Sequence, residues 1–161
     1  MTEVKRCLIC GKEFMGKYAT CSLRCKIRHD RVERQIADNA MMVLFNRADA
    51  EGKLAADDCV PVPMVVQEHA SPIDDNSPVV QQLVVPDGPC GFAWIVITPG
   101  TSRAAKYAKL HLGASKHYYG GVSIYVHDYN QSITRKAAYA GAFAKVLQAA
   151  GIKAYAGSRL D

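Results

Sequence analysis

Four cysteines stand in two close pairs near the start of the chain, Cys7-Leu8-Ile9-Cys10-Gly11 and then Cys21-Ser22-Leu23-Arg24-Cys25. Thiolates at this spacing can supply all four ligands of one tetrahedral Zn²⁺. Gly11 allows a turn after Cys10 in which backbone amides point at sulfur. Cys21 is expected at the entry of a helix, with Cys25 about one turn in, so that both sulfurs share one face. A segment this small cannot fold by burial alone, and zinc binding would supply much of its folding free energy. Disulfide pairing is the competing use of the same residues and is disfavoured in a reducing cytosol. Cys59 and Cys90 lie outside the pattern and are expected to be plain thiols. His29 is expected at the surface, because four thiolates already complete the shell.

The signature Cys-x-x-Cys-Gly…Cys-Ser-x-x-Cys resembles that of treble-clef zinc fingers, over about residues 5–30. The same pattern occurs in the short bacterial DNA gyrase inhibitor proteins and at the front of some phage recombination proteins. The resemblance implies a zinc site formed by Cys7, Cys10, Cys21 and Cys25, and an accessory factor of a phage or mobile element as the setting. It does not reach the remainder of the chain.

A second chemical feature lies at Gly120-Gly121-Val122-Ser123-Ile124-Tyr125-Val126-His127-Asp128-Tyr129. Val122, Ile124 and Val126 alternate with Ser123, Tyr125, His127 and Tyr129, which predicts a strand with one aliphatic and one ring-bearing face. If the aliphatic face meets helices, the other face collects Phe92, Trp94, Tyr125, His127, Tyr129, Lys153 and Tyr155. Rings edged by cations suit single-stranded nucleic acid, with bases stacking on the rings and cations meeting phosphates. The alternative is that this face is core, covered by the apolar helix segment Met41–Phe45 or by a second copy of the chain. Lys116, His117 and Tyr118 form a basic, aromatic loop beside the strand. Arg103 and Lys106 stand on the outer side of a helix that follows Thr98-Pro99-Gly100-Thr101-Ser102, where free amides attract anions.

The elements that must position these residues follow from periodicity. Residues 22–47 predict a helix whose apolar side carries Ile27, Val32, Ile36, Ala40, Val43 and Leu44. Lys26, Arg28, Arg31 and Arg34 crowd its early turns, as phosphate contacts or as a solvated face. Residues 48–78 hold Pro61, Pro63, Pro72 and Pro78 and much of the acidic charge, and predict a linker. Residues 79–85 and 91–98 predict two strands joined by the turn Pro86–Pro89. A helix to Leu112, the opening strand, a helix from Ser132 to Ala150 and a strand over Ile152–Ala156 complete a ββαβαβ order. The expectation is an α+β or α/β fold, a mixed sheet with helices on one face, preceded by a finger plus helix over residues 1–47.

Charge is segregated: residues 1–47 hold ten Lys/Arg against five Asp/Glu, residues 48–90 one against eight, and residues 91–161 nine against two. Two basic blocks favour an anionic partner, nucleic acid first. No apolar run approaches the roughly 20 residues of a membrane span, and Met1–Arg6 lacks a secretory apolar region, so a cytoplasmic protein is expected. His127 and Asp128 are strand neighbours that point to opposite faces, and carboxylates are scarce after residue 90, so no catalytic residue is assigned. The expected function is a small zinc-containing nucleic-acid binder, with single strands favoured over duplexes and DNA and RNA both open. A protein-interaction factor or inhibitor of a host enzyme is the alternative, and a phosphodiester-processing enzyme the third reading. Homo-oligomerisation is open.

Overall fold

The computed structural model describes residues 4–74 and 76–161, so Asp75 of the expected loop lies outside the described residues. The chain divides into two compact units, Met1–Val43 and Leu44–Asp161. In the first, β1 (Val4–Arg6) and β2 (Glu13–Met15) pair antiparallel with Lys5 opposite Phe14, so Cys7 leaves the hairpin at its turn. Helix α1 (Leu23–Asp57) begins in this unit and ends in the second.

The second unit is α+β, and its centre is β5 (Gly91–Thr98). Strand β8 (Lys153–Leu160) pairs with all of it, from Gly91↔Leu160 to Thr98↔Lys153, and β7 (Val122–Tyr125) pairs on its other edge. A two-residue β6 (Ser115–Lys116) closes the order β6-β7-β5-β8. Ala93, Ile95 and Ile97 are fully buried beneath α2 (Arg103–His111) and α3 (Ile133–Ala149), which place Ala105, Ala108, Ala140, Ala144 and Leu147 in the same core. Ser102 caps α2 by accepting the Ala105 amide at 3.2 Å, the role its side chain suits. Gly121 has φ 82, and a Cβ there would lie 2.5 Å from the Ile97 carbonyl oxygen, so the β6–β7 turn requires glycine.

Several expectations are corrected. The sheet is antiparallel throughout instead of mixed. Val79–Val85 (β4) does not pair with β5; it pairs with β3 (Met64–His69), inside the expected linker. Both edges of β5 are occupied by β7 and β8, which leaves β4 to find another partner. The helix expected to stop near Arg47 continues to Asp57. Its extension, Ala48 to Asp57, is alanine-rich, and its buried side places Ala48, Gly52 and Ala56 at four-residue steps. Strand β7 ends at Tyr125 instead of running to Tyr129, where the backbone turns through positive φ at Tyr129 and Asn130.

Within the second unit α1 docks on the outer side of the helices. Phe45 stacks on Tyr107 at 5.2 Å and meets Phe143 at 6.0 Å. Gly52 lies against Tyr139, whose ring a Cβ at that position would approach to 2.8 Å. The Tyr139 hydroxyl donates to Asp49 Oδ1 at 2.5 Å, and Lys53 Nζ lies 2.8 Å from Asp49 Oδ2. Partial burial pushes the Asp49 carboxyl up, but Lys53 and Tyr139 outweigh it and hold the group below the usual carboxylate range. Burial, then the bond to Asp49, raises the Tyr139 phenol. A carboxyl lowered in the folded state stabilises the fold above its unfolded pKa of about 4, and that contribution is lost as pH falls through the lowered value. Tyr139→Phe should cost the second unit about 1–3 kcal/mol in urea titrations at pH 7 followed by Trp94 fluorescence, with a smaller penalty at pH 3. An equal penalty at both values would contradict the assignment.

Candidate metal centre and aromatic cavity

The hairpin turn and the start of α1 bring the four cysteines together. The Cys7 amide donates to Lys12 O at 2.9 Å, and the Gly11 amide returns to Cys7 O at 2.9 Å, with Gly11 at φ 71. The Leu8 amide bonds Ala19 O at 3.2 Å and ties the second loop to the first. Ser22 opens α1: its hydroxyl accepts the Cys25 amide at 3.3 Å and its carbonyl the Lys26 amide at 2.9 Å. All four sulfurs lie within 4.8 Å of one another, with Cys10–Cys21 at 3.4 Å and Cys21–Cys25 at 3.8 Å. Metal–sulfur bonds of about 2.3 Å in a tetrahedron imply sulfur–sulfur edges of about 3.8 Å, so the set fits one metal ion. All are free thiols, as are Cys59 and Cys90. His29 stays apart from the cluster, with Nδ1 3.7 Å from Asp30.

The sulfurs are electrostatically unequal. Burial opposes ionisation of Cys7, but the amide of Cys10, followed by those of Cys21 and Ile9, lowers its thiol to about 6. Hydrogen bonds with the Cys10 and Cys7 sulfurs favour the neutral form of Cys21 and push it up to about 12. A metal entering the set must therefore expel at least the Cys21 proton.

The second candidate site lies on the face of the sheet turned away from the helices. Phe92, Trp94 and Val96 alternate there along β5, opposite Arg159, Gly157 and Tyr155 of β8. Trp94 also faces Tyr125 of β7, with ring centroids 5.8 Å apart. Gly157 lets the indole lie on the β8 backbone, since a Cβ there would stand 2.7 Å from Trp94 Nε1. A cavity of about 720 Å³ opens over this face, within the size range of ligand sites. Phe92, Trp94, Tyr118, Tyr125, Lys136 and Arg159 are among its lining residues, and none of the lining residues is Asp or Glu.

Of the residues singled out in the sequence, Lys116, His117, Tyr118, Tyr125 and His127 line this cavity. Tyr155 lies beside it, in edge contact with His117 at 6.4 Å. Arg103 and Lys106 are on α2 and Lys153 opposes Thr98 at the sheet's end, none of them lining the cavity. Tyr129 departs from expectation, because β7 stops before it and its ring packs 6.1 Å from Tyr139 of α3. In the first unit Lys26 stands over the Tyr18 ring at 5.7 Å, while Arg28, Arg31 and Arg34 are exposed on α1 at three-residue steps. The Met41–Phe45 segment does not cover the rings, since Phe45 packs on α2 and α3.

Two further lining residues, Lys136 and Arg159, are not among those expected from the sequence. Lys136 sits in step with Ala140, Phe143, Ala144 and Leu147 on the buried side of α3, a signal present in the helical period. Arg159 falls beyond the expected end of the last strand, which continues to Leu160. No protein-family model matches the chain, and neither a curated protein nor a solved structure resembles it significantly. Among the described residues no helix is long and apolar enough to cross a membrane.

Two outcomes are expected. Native mass spectrometry should find one bound metal ion in the parent and none in Cys21→Ser, and metal affinity in a chelator competition should be weaker at pH 6 than at pH 8. A metal-free parent, or affinity that rises on acidification, would contradict the four-thiolate site. Gly157→Ala should shift Trp94 emission and destabilise the second unit by about 1–3 kcal/mol, because the indole loses its seat. Unchanged emission and stability would contradict that packing.

Proposed function

We propose that the chain is a zinc-containing nucleic-acid-binding protein that holds single strands on the ring-bearing face of its sheet. A finger of treble-clef type would carry the zinc, since the hairpin–helix setting of its four cysteines suits that metal. The observation that carries the reading is the uncovered cavity, where aromatic rings and cations stand together without a carboxylate. Unstacked bases would lie against Trp94 and Tyr125, and Lys116 would meet phosphates. DNA and RNA both offer this chemistry. The setting of a phage or mobile-element accessory factor rests on the finger's resemblance alone.

A protein partner is the second reading, favoured by the β3–β4 hairpin. Val65, Val66, Val80, Leu83 and Val84 are all exposed there, and an isolated two-stranded ribbon is marginally stable in water.

Fluorescence anisotropy of labelled single strands, titrated against salt, tests the first reading. Log affinity should fall linearly with log salt, at a slope of about −0.7 per phosphate neutralised. Tyr125, 49% exposed, can lose its ring without leaving a cavity, so Tyr125→Ala should weaken binding by about 1–3 kcal/mol while the melting temperature holds. Absence of binding to any single-stranded DNA or RNA at low salt would overturn the proposal.

A further inference from the structure

The cavity contains a cation that the fold does not neutralise. Lys136 is 5% exposed, yet among the described residues its one acceptor is Gly91 O at 3.3 Å, which leaves two of its three ammonium donors without a partner there. The side chain rises from the first turn of α3 beside the start of β5. There β7 no longer pairs, its last partner being Trp94↔Tyr125. Lys136 Nζ then stands 5.9 Å from the centre of the Phe92 ring. The Arg159 guanidinium stands 5.4 Å from the same ring. Neither Lys136 nor Arg159 has a carboxylate partner among the described residues. His117 adds a buried Nδ1 with no hydrogen-bond partner in the lining of the same cavity.

A buried ammonium without a counter-ion costs stability, and replacing it by an apolar residue of similar shape would relieve that cost. Its placement on the core side of α3 is accounted for if an anion completes the site. Two cations within 6 Å of the centre of one ring, in a cavity that Trp94 and Tyr125 also line, suit a phosphate attached to a flat heterocycle.

We propose that Lys136 and Arg159 form a seat for the phosphate of a nucleotide whose base lies on Trp94 and Tyr125. This deepens the single-strand reading and rests on it for the strand, although the seat itself requires only a nucleotide phosphate. The phosphate can come from a strand terminus, an internal linkage or a free nucleotide.

Trp94 is the only tryptophan in the chain, so its quenching reports entry into the cavity. The probes are thymidine 5′-monophosphate and an eight-nucleotide oligothymidylate with either a 5′-phosphate or a 5′-hydroxyl. Lys136→Met and Arg159→Met should each weaken binding about ten-fold or more, as loss of a charge-assisted contact does. Lys145→Met, removing an exposed lysine further along α3, controls for net charge and should change affinity by about two-fold at most. Lys136→Met should melt no lower than the parent, whereas a purely structural lysine would lower the melting temperature. Arg159 is exposed, so its variant keeps the test decisive if Lys136→Met fails to fold.

A preference for the 5′-phosphate assigns the seat to a terminus. Equal weakening of both oligonucleotides by the variants assigns it to an internal linkage. Monophosphate binding that depends on both residues, without strand binding, keeps the seat and removes the strand reading. Strand binding that both variants leave intact overturns the seat and keeps the strand reading. If no probe quenches Trp94, both fail.

Discussion

The antiparallel pairing of β5 with β8 is the constraint on which the second unit depends. Its eight-residue register decides both faces of the sheet at once. On one side it sets Ile97 beside the buried Ala154 and Ile95 in the core that α3 closes. On the other it sets Trp94 over Gly157 and Phe92 beside Arg159. Because side chains alternate, a slip of one residue would send the aliphatic set to the open face and the rings into the helices. Core packing therefore holds the aromatic floor in place, and the proposed ligand site needs no separate scaffold.

The two units are stabilised by different physics. The second has a core of fully buried aliphatic and alanine side chains, sealed on its outer side by Phe45, Gly52 and Ala56 of α1. Small residues at four-residue steps let a helix approach closely where larger ones would stand off. The first unit has little apolar burial of its own, with Cys7 its one buried hydrophobic side chain among the described residues. Four converging cysteine sulfurs stand where a core would be, and giving up their protons becomes favourable only when a cation is shared among them.

The metal set was legible in the sequence because ligand spacing is local: hairpin turn and helix entry are each specified within a few residues. Strand β5, its alternation and both C-terminal helices were legible for the same reason. Pairing partners were not. Met64–His69 follows two prolines within an acidic stretch, and only the occupied edges of β5 explain why Val79–Val85 joins it. Gly52 reads locally as a helix breaker, and its contact with Tyr139 exists only in three dimensions. Tyr129 continues a strand pattern that the backbone abandons at positive φ. Lys136 was hidden by its type, since lysine on a helix ordinarily marks the solvent side and here marks the buried one.

A ligand landing on the ring-bearing face would meet Trp94, the one tryptophan of the chain, whose single indole N–H gives an isolated signal. Amide and indole ¹⁵N spectra recorded during addition of a single-stranded oligonucleotide provide the most direct measurement. The Trp94 indole resonance should move progressively to saturation together with the amides of Phe92, Tyr125 and Arg159, while the amides of α1 beside Gly52 stay in place. Saturable binding that leaves the indole signal unmoved would place the interface elsewhere and contradict binding on the ring-bearing face.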